Sequence, residues 1–478
     1  MAGRARWTVN AAAPAALALV AHAAPQEPAP PTVPTPPAAT ERPPGAAELD
    51  ADAGKASLRS MAVHGSWLRR MVSAMRLERP GTDAAREFLL ALAVDPDPRV
   101  RSAAVLSCAR AGIDANPALG DAEQDPRVLR NMLRCGWQLD AARIERGARI
   151  LARSDDNSER LLAVELIGAL QGQGPGRCDE RLADFGKDTL RSVIARLDRD
   201  DGGALSPRIA ALTGARDSRQ DWKWRIWLDR NRGSMRIDAV VPARKAGPGE
   251  DNAVAKLDDG AFVRFAGALD TLFRRPIDLG VAIDCTGSMA GEIAQAQAGI
   301  DDLMRFVNAV TAGLRVGIVG YRDQQDDFKT LGWDFAAEPP VVRERLWKLS
   351  AEGGGDEPEL VQEALKVAYG RFTWRTDAQQ VMVLVGDAPP TPGWGTRCVE
   401  MAREARARGI TREVLSDRDE RQPAEVKHFP DIARAGGGRV IRLDARTDLA
   451  AELAGLALSD TWHDQVVAVF ERYLLLCR

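Results

Sequence analysis

One segment constrains the fold of this chain more than any other. Pro276 opens a short run, Ile277 to Ile283, that is dense in branched apolar residues and stops on Asp284. Apolar runs of that length, bounded by Pro and rich in Val and Ile, read as buried strands. Asp284, Thr286 and Ser288 then follow at alternate positions around Gly287, and a helical pattern runs from Glu292 to about Val310. The spacing therefore brings one carboxylate and two hydroxyls to the carboxyl end of a strand. Open α/β sheets hold their ligands there. Oxygen donors without nitrogen or sulfur suit a hard divalent cation. Taken alone, Asp-x-Thr-Gly-Ser fits a capped helix start equally well.

Later segments repeat the strand–helix alternation. Leu314 to Asp323 is a second apolar strand ending in an acid, Gly353 to Glu359 is a Gly-rich stretch opening a helix from Leu360 to Ala368, and Val381 to Asp387 is an apolar run stopping on a carboxylate. In this order, the segments resemble the von Willebrand factor A (VWA) domain and its metal-ion-dependent adhesion site (MIDAS). The resemblance implies a doubly wound, mostly parallel α/β sheet. It also implies a Mg²⁺ or Mn²⁺ site formed by Asp284, Thr286, Ser288, Asp356 and Asp387, with Asp323 in a supporting position. One departure matters: many VWA domains place a Thr where this chain has Asp356. With Asp284, Asp356 and Asp387 ionised, three negative charges face one divalent ion, an excess worth several kcal/mol at close range. Either some of them act through water or the ion is largely neutralised, and an acidic ligand from a partner protein then gains less.

The 478 residues are long for one domain, and two folded units plus a tail fit that length. Charged residues make up 28% of the chain and nearly balance at a net −3, so no nucleic-acid footprint is present. The four histidines are far apart in sequence, and the six cysteines have no C-x-x-C spacing. A zinc site, a His-based catalytic network and a disulfide framework are all disfavoured.

Residues 1–24 have the layout of a signal peptide, with Arg4 and Arg6 before an Ala-rich apolar stretch and a small-x-small pattern at Ala21 to Ala23. The expectation is a periplasmic or secreted protein, or a cytoplasmic one if the leader stays uncleaved. Residues 25–45, dense in Pro and Ala, read as an extended linker. From 46 to 232 the pattern is helical. Asp95-Pro-Asp-Pro, Asp125-Pro and Ser154-Asp-Asp-Asn recur about every thirty residues as helix stops and starts. This region resembles short HEAT-like repeats, and Trp222, Trp224 and Trp227 are expected to cap its core. Residues 233–258 read as a linker, 259–460 as the VWA domain and 461–478 as a terminal helix. No stretch is long and apolar enough for a transmembrane helix.

The expected function is binding: a metal-dependent protein-binding module presented by a helical scaffold, with a protein partner at the metal-bearing face. VWA proteins also act as adaptors of AAA+ ATPases, a reading that suits a cytosolic chain. Catalysis is disfavoured. A haloacid-dehalogenase-type phosphatase needs an Asp where Thr286 stands, no phosphate-loop motif occurs, and Ser288 lacks the flanking glycines of a nucleophile elbow. A metal-assisted hydrolase is the weakest alternative.

Overall fold

The computed structural model describes residues 65–115, 119, 123–197, 199–215, 221–238, 252–272, 275–354, 358–417, 426–443 and 448–477. The leader, the Pro-rich stretch, much of the 233–258 segment and Asp356 lie outside these ranges.

Helices α1 (Trp67–Arg76), α2 (Asp83–Ala93), α3 (Pro98–Ala111), α4 (Pro126–Arg134), α5 (Ala141–Leu151), α6 (Asn157–Gln171), α7 (Glu180–Arg196), α8 (Arg199–Thr213) and α9 (Asp221–Asn231) form the first region. The recurring Asp is a working N-cap. Asp97 accepts from the backbone N–H of Arg99 at 2.9 Å, Asp125 from Arg127 at 2.8 Å and Asp156 from Ser158 at 2.7 Å. Each fills a donor that the first helical turn leaves open. An oxygen two residues earlier accepts the cap's own N–H: Asp95 at 2.8 Å, Glu123 at 2.7 Å and Ser154 at 3.1 Å. The sequence phrase is thus a repeated piece of capping geometry. Of the three tryptophans only Trp224 is buried, with its indole N–H on Ser206 Oγ at 2.6 Å. Helical periodicity turns Trp224 and Leu228 inward and leaves Trp222 52% exposed.

After α10 (Asp259–Leu272), a six-stranded sheet is built from β1 (Ile277–Asp284), β2 (Leu314–Tyr321), β3 (Thr330–Ala336), β4 (Gln379–Gly386), β5 (Ile410–Asp417) and β6 (Val440–Leu443). Its strand order is β3-β2-β1-β4-β5-β6, and every pairing is parallel except the antiparallel β2–β3 edge. Helices α11 (Ala290–Val310), α12 (Pro339–Trp347), α13 (Val361–Gly370), α14 (Gly395–Ala407), α15 (Phe429–Gly436), α16 (Leu449–Leu458) and α17 (His463–Cys477) complete the described elements. The fold is α/β and doubly wound, preceded by an all-α region. β1 is buried along its whole length, as a central parallel strand covered on both faces must be. Sequence patterning misses β3 and α12. β3 is an edge strand whose residues are mostly half-buried, so it has no clean apolar alternation. Among the described residues no helix is long and apolar enough to cross a membrane.

One continuous apolar core runs from α1 through α11 and one face of the sheet to α16 and α17. The terminal helix joins the regions. Arg472 of α17 pairs with the fully buried Glu78, which also takes Arg110 at 3.2 Å. Burial opposes charge on Glu78, but the two guanidinium groups outweigh it and hold its carboxyl below the usual range. Asn131 of α4 donates to the Leu475 carbonyl at 3.0 Å, and Tyr473 packs on Trp67 with ring centroids 6.0 Å apart. Asn252 is buried as well and donates to the Met75 carbonyl at 2.9 Å.

Removing one member of a buried ion pair strands the other, which typically costs about 3–5 kcal/mol. Arg472→Met should therefore lower the stability of the full chain by a few kcal/mol in urea unfolding. The double variant Glu78→Met with Arg472→Met should lose less than the single one. A single variant as stable as wild type contradicts a role for α17 as the joint.

Candidate metal centre

The strand order reverses between β1 and β4. β2 and β3 lie on one side of β1, and β4, β5 and β6 on the other. A crevice opens at such a switch point because the loops leaving the two strands turn to opposite faces. β1 ends on Asp284, and Asp387 directly follows β4.

Asp284 is wholly buried, and its two oxygens differ. Oδ1 accepts from the backbone N–H of Thr286 at 2.9 Å and from the Thr286 hydroxyl at 2.8 Å. Oδ2 has no hydrogen-bond partner among the described residues. Ser288 Oγ lies 3.2 Å from Thr286 Oγ1, and Ser288 is solvent-exposed. The Asp-x-Thr-x-Ser segment thus forms one chain of side-chain oxygens from the buried strand end to the surface. Cys285 points the other way, into the core, where burial pushes its thiol up to about 12.

The Gly-rich stretch lies directly on this segment. Gly287 donates to the Gly353 carbonyl at 3.2 Å, and Glu352 to that of Cys285 at 3.1 Å. Gly353 and Gly354 both have positive φ, at 76° and 78°, and a Cβ on Gly354 would stand 2.9 Å from Cβ of Thr286. Only glycine meets both demands without strain. Gly386 serves the same purpose across the crevice, because a Cβ there would strike the Tyr321 hydroxyl and stand 3.6 Å from Asp284 Oδ2. Arg322 binds the loops from behind. Its guanidinium donates to the Cys285 carbonyl at 3.1 Å, to the Ser350 carbonyl at 2.7 Å and to Ser350 Oγ at 3.1 Å.

The acids gather close enough to feel one another. Burial raises the Asp284 carboxyl to about 7 against the hydrogen bonds from Thr286, and Asp387 and Asp323 push the same way. Glu359 is raised to about 9 by burial, by Asp284 and by Asp323, with Asp387 adding to the effect. The structure thus brings Asp284, Thr286 and Ser288 together and sets Asp387 and Asp323 beside them. Asp356 lies outside the described residues. Glu359 was not anticipated as part of this group. It belongs to the Gly-rich segment, but only the packing of that segment on the loop after β4 places it here. Among the described residues no three acidic, imidazole or thiol groups already converge as a closed metal cage. The donor set is mixed, of hydroxyls and carboxylates, and one buried carboxylate oxygen is unmatched. Hard oxygen donors with surplus negative charge fit a divalent cation.

Residues 278–445 match the family model of the von Willebrand factor A domain. This segment is a VWA domain. No curated protein matches the chain in sequence. Among solved structures, the chain is similar to a conserved hypothetical protein, BatB, from Bacteroides thetaiotaomicron, at 15% identity and a TM-score of 0.27, over 41% of this chain and 98% of that one. It is also similar to the pilus adhesin SpaC from Lactobacillus rhamnosus GG in its open conformation, at 10% identity and a TM-score of 0.31, over 40% of this chain and 30% of that one. The match covers the VWA sheet and its loops and stops short of α16 and α17.

Gly354→Ala should displace the Gly-rich loop from Thr286 while leaving the sheet intact. The expected outcome is native far-UV circular dichroism, with divalent-ion binding to the full chain weakened about tenfold or more, as for other losses of support around a metal site. Unaltered binding would mean that the close approach of the two loops has no part in the site.

Proposed function

We propose that the VWA domain is a metal-dependent protein-binding module, with no catalytic role, presented by a HEAT-like helical scaffold. The ion is Mg²⁺ or Mn²⁺. Asp284, Thr286, Ser288 and Asp387 hold it, with Asp323 in support and Asp356 as a further carboxylate from the Gly-rich loop. The observation that carries this reading is the unmatched Asp284 Oδ2, wholly buried among acids at the switch point of the sheet. A buried carboxylate oxygen without a donor costs free energy. A bound divalent cation removes that cost and the mutual repulsion of the acids together.

When bound, the ion supplies a Lewis-acidic position that can take a carboxylate oxygen from a partner protein. The chain's own residues shape what reaches it. Thr286 fixes one oxygen of Asp284, which leaves the other to face the crevice. Exposed Ser288 marks the side open to solvent, and the absence of a side chain at Gly386 keeps the space beside Asp284 Oδ2 clear. No histidine among the described residues stands with this group to act as a base, which supports binding over hydrolysis. The leader reading adds a periplasmic or secreted location to the proposal.

The test uses the full chain, because α17 packs on the helical region and a VWA fragment would lose that contact. Mg²⁺ or Mn²⁺ should raise its thermal midpoint by mass action, with about 2.7 kcal/mol gained at a hundredfold excess over Kd. Asp284→Ala and Ser288→Ala should remove the shift yet remain folded. Partner capture from native cells should be lost both with chelator and with Asp284→Ala. Identical responses of wild type and Asp284→Ala to millimolar Mg²⁺ would show that the ion binds elsewhere.

A further inference from the structure

We propose that His463 is a proton-operated latch on the terminal helix: protonated, it clamps the start of α17 against α16, and loss of the proton releases the clamp. The inference is independent of the cation reading and concerns the joint between the α/β layer and the helical region.

The place of His463 in the chain gives it leverage. α16 belongs to the α/β layer: the Leu449 N–H donates to Gln295 Oε1 of α11 at 3.3 Å, and the side chain of Gln379, the first residue of β4, donates to the Ala457 carbonyl at 3.1 Å. The second contact sets the end of α16 at the amino end of the sheet, opposite the strand ends that carry Asp284 and Asp387. α17 belongs as much to the helical region, through Arg472 and the Leu475 carbonyl. The turn between α16 and α17 is where one hold passes to the other. His463 is the first residue of α17 and is buried. Its ring lies on bare α16 backbone, because a Cβ on Gly455 would stand 2.6 Å from its Cδ2 and 2.8 Å from its Nε2.

Two carboxylates flank the ring. Nδ1 lies 3.1 Å from Asp464 Oδ1, and Nε2 lies 3.0 Å from Glu452 Oε2 of α16. The second approach is one of charge rather than of hydrogen-bond alignment, since neither atom has an aligned partner among the described residues. Arg439, just before β6, also acts on the ring. Burial opposes the imidazolium most and Arg439 adds to that, but Glu452 and Asp464 outweigh both and hold the ring above its ordinary value. A protonated ring offers an N–H to each carboxylate, whereas a neutral ring has one N–H for two. Asp464 is exposed and hydrates when the ring is neutral. Buried Glu452 Oε2 then faces Nε2 without the charge that draws them together. The stability from this contact is therefore complete below the ordinary value of 6.5 and is lost as pH rises through the raised folded value. Alkaline conditions loosen the first turns of α17, and with them the hold of the α/β layer on the helices.

Two measurements on the full chain test this, with wild type, His463→Gln and Glu452→Gln compared. The first is an NMR titration of ring-labelled histidines, in which the His463 signal is the one missing from His463→Gln. Its midpoint should lie above 6.5 and move down in Glu452→Gln. The second is hydrogen-exchange protection in the first turns of α17, corrected for intrinsic rates, from about pH 5.5 to about pH 8.5, either side of the histidine range. Wild-type protection should fall across that range by about tenfold for each unit by which the folded value exceeds the ordinary one. His463→Gln should stay flat, and Glu452→Gln should fall less than wild type. A His463 midpoint at or below the ordinary value would overturn the proposal, as would the same loss of protection in His463→Gln as in wild type. Should His463→Gln fail to fold, the other two chains decide: a midpoint and a protection profile unmoved by Glu452→Gln overturn the latch.

Discussion

Everything at the functional end of this molecule depends on β1 having a parallel partner on each side. Pairing with β2 and β4 makes the strand central, cover on both faces buries it completely, and the chain leaves it into the crevice at its carboxyl end. Asp284 occupies that end, and burial makes its charge expensive. The hydrogen bonds from Thr286 satisfy half of the carboxylate. The other half has no hydrogen-bond partner among the described residues. The surrounding glycines serve the same end: Gly353, Gly354 and Gly386 let backbone and carboxylates approach more closely than side chains would allow.

The helical region is more than a neighbour of the sheet. Its core is continuous with one face of the α/β layer, and a charged contact joins the buried Glu78 and Arg472 to a partly buried Arg110. A buried pair of this kind adds little net stability over an apolar replacement, yet it is intolerant of losing one partner. It fixes where α17 sits, and α17 fixes how the sheet is held by the helices.

The parts of the fold legible in the sequence were those with strong local signatures. β1, β2 and β4 are short apolar runs, each ending on an acid or reaching one within two residues, and the recurring Asp-Pro phrases are helix caps with a local hydrogen-bond logic. β3 and α12 escaped because an edge strand and a short surface helix have mixed burial and no sharp period. Within the site, Asp284, Thr286 and Ser288 could be placed together from spacing alone, since three alternate residues at a strand end cannot stray far apart. Glu359 could not. Its membership depends on a backbone bridge to Pro390, a contact between segments far apart in sequence. The junction at Arg472 was hidden for the same reason, because helical periodicity tells that α17 packs but not against what.

The most direct measurement is anomalous diffraction from crystals of the full chain grown in Mn²⁺. The account requires one anomalous peak per chain at the carboxyl ends of β1 and β4, bonded to Asp284 through the oxygen that Thr286 leaves free. Its loss in crystals of Asp284→Ala would follow. An empty crevice in saturating Mn²⁺, or a peak located away from Asp284, would contradict the account.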